Sequence, residues 1–192
     1  MGVDISGLNP VVVSERPDYP INWDDATEVE KEAYWQAIDN YKAENPGIYF
    51  CANWWSWRPI HILCDIVSRE NNLRINTAGW GENSGYGLKN PKKCEQLADA
   101  LENHINNFLG ENLKENDDTI YVCMGSWCTD QGGFLPREVD EKLEQDYPFG
   151  TILFNGIVLE DGTVVYPSHG SSLGHIKNWI AFLRTCGGFQ IY

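Results

Sequence analysis

Gly47-Ile48-Tyr49-Phe50-Cys51-Ala52-Asn53-Trp54-Trp55-Ser56-Trp57-Arg58-Pro59 is the stretch on which the fold turns. Trp54, Trp55 and Trp57 are three of the chain's eight tryptophans. Rings of that size are rarely fully buried, and at this density they point in more than one direction. At least one is therefore expected to line a groove, although the same spacing suits rings that only wedge helices against a sheet. Ile48 to Cys51 reads as a strand entering the core. Pro59 suits the first position of a helix whose stripe is Ile60, Leu63, Cys64 and Val67 and which runs to Asn71-Asn72. That register sets Arg58 beside the free amides of a helix N-terminus, a favourable place for an anion.

Upstream, Val11-Val12-Val13 is β-branched enough for a short strand. From Asp24-Asp25 to Asn45 the chain reads as a helix with an acidic start and a Pro46-Gly47 stop, its buried stripe being Ala26, Val29, Ala33, Ala37, Ile38 and Tyr41. Its carboxylates most often mean a solvated face.

Downstream, Ile75 to Leu88 holds four glycines with Trp80 and Tyr86, a candidate binding loop, but its spacing matches neither a dinucleotide fingerprint nor a phosphate loop. Asn90-Pro91 opens a helix with Cys94, Leu97, Ala98, Leu101, Ile105 and Phe108 inward and Gly110 as its stop. Thr119 to Met124 reads as a buried strand. Pro136 to Asp146 is a short charged helix anchored by Val139 and Leu143. Residues 151–166 read as a β-meander with turns at Asn155-Gly156 and Asp161-Gly162. Ser171-Ser172 caps a last helix bearing Leu173, Ile176, Ile180 and Leu183, Gly187-Gly188 ends it, and Phe189 to Tyr192 alternates like a terminal strand. The pattern as a whole is α+β: one domain over residues 1–192, about five helices on a small, mainly antiparallel sheet, with an acidic helical insertion at about 24–45.

A formal net charge of −14 argues against wrapping a nucleic-acid duplex or lying on an anionic membrane. A nucleotide-sized ligand stays open, because one arginine can pair a phosphate inside an acidic shell. Six cysteines outside any disulfide framework, without a signal peptide or a membrane-length apolar run, fit reduced thiols in a cytoplasmic protein. Cys123 and Cys128 are spaced more loosely than a zinc knuckle. We expect neither a metal nor a cofactor. The Gly2 and Ser6 start fits a myristoylation pattern but lacks the basic patch of a second anchor.

Met1-Gly2-x-Asp4-x-x-Gly7-x-x-Pro10, the segment from Gly47 to Pro59, and Phe182-Leu183-Arg184-x-x-Gly187-Gly188-Phe189-x-Ile191 together resemble a family of small uncharacterised proteins frequent in bacteriophage and prophage genomes. Members carry a continuous Trp-Trp-Trp-Arg-Pro where this chain has Trp55-Ser56-Trp57-Arg58-Pro59, and an Asn-Asp-Gly-x-Gly-Leu that Asn83-Ser84-Gly85-Tyr86-Gly87-Leu88 looks like. The chain departs from the family in its acidic helix and in keeping only Cys123 and Cys128 where some members have two Cys-x-x-Cys pairs. The resemblance carries no settled activity. It implies an accessory role in a bacterial host, for instance anti-defence by sequestering a nucleotide-derived immune signal.

The residues suit that role. Trp55, Trp57, Trp80 or Tyr86 would clamp a ring, Asn53 and Asn83 would read its edges, and Arg58 would pair a phosphate. Two other classes compete with this ligand-binding reading. One is a hydrolase of a nucleotide-like ligand with His61, His104 or His169 as base and Asp65 or Asp130 as its partner, although no nucleophile motif supports it. The other is an inhibitor whose acidic helix docks on a basic host protein. An enzyme is the less favoured reading.

Overall fold

The computed structural model describes residues 2–19, 22–83, 85–109, 118–154 and 156–192, with side chains throughout except at 108 and 109. The expected helix stop at Gly110, the Phe108 side chain, and Ser84 and Asn155 of the two turn motifs lie outside the described residues.

The architecture is α+β, with five helices and three small antiparallel sheets among the described residues. The largest sheet has the order β2-β1-β10-β3, from Tyr49–Asn53 (β2), Gly2–Gly7 (β1), Phe189–Ile191 (β10) and Gly87–Leu88 (β3). β1 lies inside it because Val3 and Ile5 alternate with polar neighbours and bury one face, pairing with Ala52 and Phe50 of β2. The strand expected at Val11-Val12-Val13 does not form; these three side chains are exposed, and the arm is held by single contacts such as Val11 N–H to the Thr185 carbonyl at 2.8 Å. β-branching there had no face to bury, and alternation at Val3 and Ile5 did.

Helices α2 (Trp54–Glu70), α3 (Pro91–His104) and α5 (Leu173–Thr185) cover the inner face of this sheet and make the main core. α3 and α5 start as read, with the Asn90 side chain accepting from Lys93 N–H and Ser172 Oγ from His175 N–H. α3 passes into a π-helical turn at Ile105–Leu109. β10 follows α5 as the tied-down tail.

α1 (Glu28–Glu44) departs from expectation. A complete capping box at Thr27 and Glu30 starts it after Ala26, and of its expected stripe only Ile38 is buried, with Val29 75% exposed. Its rings turn to local partners instead: Tyr34 and Trp35 meet Trp23 at 5.6 and 5.7 Å, and Tyr19 stacks on Trp23. Three alanines and a valine make up most of that stripe and offered too little apolar area to dock the helix by it.

The other two sheets are β6-β4-β9, from Ile152–Phe154 (β6), Thr119–Val122 (β4) and Gly170–Ser172 (β9), and β5-β8-β7, from Trp127–Thr129 (β5), Val164–Pro167 (β8) and Ile157–Val158 (β7). The β7–β8 hairpin turns at Asp161-Gly162 as read, with Asp161 Oδ1 accepting from Thr163 N–H at 2.9 Å. The meander is interrupted, however: β6 pairs with β4 and belongs to a different sheet from β7. α4 (Arg137–Asp146) packs Leu143 and Val139 with Cys123, Trp127 and Val165 into a second, smaller core.

Candidate functional site

α2 begins five residues earlier than Pro59 suggests. Asn53 is its N-cap, its side chain accepting from Ser56 N–H at 2.9 Å and from Ser56 Oγ at 3.1 Å, so the asparagine expected to read a ligand edge is spent on the helix. Pro59 therefore lies inside the helix, where its missing N–H releases the carbonyl four residues back, that of Trp55. Arg58 projects from the second turn and not from the free amides at the start.

This register sorts the tryptophans. Trp57 points into the core, fully buried, and its Nε1–H donates to the Trp80 carbonyl at 2.7 Å; Trp80 is equally buried. Both were expected at the ligand, and both are instead packed on other rings: Trp57 against Trp179 at 5.2 Å, and Trp80 against Phe189 at 5.0 Å. Trp55 and Arg58, three residues apart, share the outer face of α2. Asn83 and Tyr86 belong elsewhere. Asn83 Nδ2 donates to the Gly2 carbonyl at 3.0 Å, and the Tyr86 ring lies so close over Gly79 that a Cβ there would stand 2.6 Å from it. With φ of +86°, Gly79 makes room for that ring and not for a ligand.

What meets Trp55 and Arg58 is His169, 5% exposed, just before β9. Its ring lies 4.8 Å from that of Trp55, and its Nε2 lies 2.9 Å from Arg58 Nη1. A guanidinium only donates, so Nε2 accepts and the ring proton sits on Nδ1. Nδ1–H then donates to Ser168 Oγ at 2.8 Å, and the Ser168 and Ser126 hydroxyls share a hydrogen bond. Burial first, and the Arg58 charge second, hold His169 below the usual histidine range, so it is neutral at pH 7. The wall carrying these groups is braced by backbone bonds from Ser168 N–H to the Ser126 carbonyl at 2.9 Å and from Val122 N–H to the His169 carbonyl at 3.2 Å.

The polarity of this chain decides its chemistry. The basic lone pair of His169 faces a cation, while its proton faces Ser168, so the pair is oriented against drawing a proton from the serine. Arg58 keeps its other N–H groups, and Trp55, 60% exposed, keeps an open ring face. The arrangement offers a fixed cation, an aromatic platform and two hydroxyls. Among the described residues, His61 and Asp65 do not bond to one another. His61 Nε2–H donates to the Thr77 carbonyl at 3.0 Å, whereas Asp65 Oδ1 accepts from Thr77 Oγ1 at 2.8 Å and pairs with Arg69, so both bind Thr77. His104 faces Glu70 at 3.5 Å.

Cys123 lies in the smaller core, its thiol pushed up to about 11 by burial. Among the described residues no three His, Cys, Asp or Glu side chains are placed to hold a metal ion, and no helix is long and apolar enough to cross a membrane. Of the site, Trp55 and Arg58 were legible from the sequence, whereas His169, a candidate base there, is a partner of Arg58. Ser126 and Ser168 were missed; the Ser168-His169 dipeptide marked the second, and nothing local marked the first. Comparison of the chain with protein-family models, with curated proteins and with solved structures returned no match.

Proposed function

We propose that this protein binds a small anionic ligand carrying an aromatic ring, of the nucleotide-derived class, and holds it without chemistry. The observation that carries this reading is the Arg58–His169 bond at 2.9 Å beside the open ring of Trp55. Buried His169 fixes one edge of the guanidinium, leaving the rest to form charge-assisted bonds with a phosphate or carboxylate. The ligand ring stacks on the free face of Trp55, and the Ser126 hydroxyl takes a further polar contact. The orientation of the Ser168–His169 pair favours holding over hydrolysis. In the bacteriophage setting that the family resemblance implies, such holding withdraws a host immune signal inside the bacterial cell.

The test is native mass spectrometry of the protein purified from cells with an active nucleotide-signalling defence. A small molecule should co-purify, leave on denaturation, and be missing from Arg58→Ala while circular dichroism stays unchanged. Retention of the molecule by folded Arg58→Ala overturns the reading.

A second reading rests on α1. Its exposed Glu28, Glu30, Glu32, Asp39 and Glu44, together with half-exposed Trp35, suit docking on a basic host protein. Such a complex should dissociate steeply with salt, since contacts between exposed charges are screened.

A further inference from the structure

The ligand site does not end at Arg58. A cleft of about 630 Å³ runs along the same helix, lined by Ile62, Asp65, Ile66, Ile75, Thr77 and Phe149 among others. Ile62 lies one turn beyond Arg58, about 6 Å along the helix axis, and Trp55 lies about 4.5 Å on the other side. The opposite wall is continuous as well. Gly150 of the cleft donates its N–H to the Cys123 carbonyl at 2.8 Å, and the chain from Cys123 leads to Ser126, which is bonded to the Ser168-His169 segment. One cation is therefore flanked by two ring platforms, Trp55 on one side and Phe149, 72% exposed, on the other.

The cleft's own chemistry says what fills it. Asp65 and Arg69 neutralise one another, so it provides no free cation for a second phosphate. Ile62, Ile66 and Ile75 line it together with the Phe149 ring, an apolar lining that suits a flat π-system. Its rim includes an acceptor in Asp65, each of whose oxygens has a lone pair beyond the bonds it makes. An apolar slot edged by acceptors matches a nucleobase with an exocyclic amino group. Resting on the function proposed above, we infer that the ligand is a dinucleotide: its bridging phosphate pairs with Arg58, one base stacks on Trp55, and an amino-bearing base enters the cleft under Phe149.

Isothermal titration with the dinucleotides ApA, CpC and UpU, and with AMP, CMP and UMP, tests this. A second stacked base strengthens binding by about tenfold or more. ApA and CpC should therefore bind at least about tenfold tighter than AMP and CMP, although each monophosphate carries more charge, and UpU should gain least. Phe149→Ala, at an exposed position, should remove most of the gain of ApA over AMP. Equal affinity of ApA and AMP, or a Phe149→Ala protein that binds both as before, overturns the dinucleotide while an Arg58-dependent AMP site leaves the wider reading standing. If neither AMP nor ApA binds, or if both bind Arg58→Ala undiminished, the binding function falls with it.

Discussion

The two walls of the candidate site meet where Arg58 and Trp55 contact His169, and they rest on unequal foundations. α2 stands on the main core, where Trp57, Trp80, Trp179, Phe182 and Phe189 are all fully buried around the sheet of β1 and β2. The wall of Ser126, Ser168 and His169 leans toward the smaller core, in which only Cys123, Trp127, Leu143 and Val165 are buried. Hydrophobic stabilisation scales with the apolar area removed from water, so the first wall is the rigid one and the second the one that opens at lower free energy. Under the proposed function, such a boundary gives the site a fixed cation and an adjustable clamp. The difference also assigns roles to neighbours in sequence: Trp57 belongs to the foundation and Trp55 to the surface, two residues apart.

The comparison is tested most severely by Trp57→Ala. Loss of a fully buried indole and its bond to Trp80 should cost about 3–5 kcal/mol in denaturant unfolding. A loss below about 1 kcal/mol would show that the main core does not carry α2. Leu143→Ala should cost about 2–4 kcal/mol, and hydrogen exchange should rise in α4, β5 and β8 while α2 and α5 stay protected. Equal deprotection of both regions would erase the distinction between the cores.

Asn53→Ala removes the α2 cap and should cost about 1 kcal/mol, read by thermal unfolding, with faster exchange at the amides of Trp55 and Ser56. The pH dependence has a definite sign. His169, His61 and His175 are all held below the ordinary histidine value, chiefly by burial, so the unfolded chain binds protons that the native one refuses. Their contribution is complete above the ordinary value near 6.5 and is lost as pH falls below it. Melting temperature should drop between pH 7.5 and 5.5, and His169→Gln should reduce that drop. The smallest effect belongs to Trp55→Ala, within about 0.5 kcal/mol in stability, since the ring is mostly in solvent. A large loss there would move Trp55 from the binding surface to the foundation.

Periodicity served well wherever the deciding interaction was local. The stripes of α3 and α5, their caps at Asn90 and Ser172, and the Asp161-Gly162 hairpin were all legible. At α2 a local signal pointed to the wrong place: Pro59 suits a first helical position, whereas the cap is the Asn53 side chain accepting from Ser56 N–H. α1 misled because a helical period says which residues share a face, and says nothing of whether anything covers that face.

By itself, the sequence determined that five helical segments alternate with short strands and where the Asp161-Gly162 hairpin turns, because caps, turns and side-chain period act over a few residues. Only the tertiary structure decided that Trp57 and Trp80 face inward, that β6 joins β4 and not β7, and that Arg58 meets His169 across 111 positions. Those outcomes depend on burial and on pairing between distant segments, and no short-range preference of either partner encodes the other.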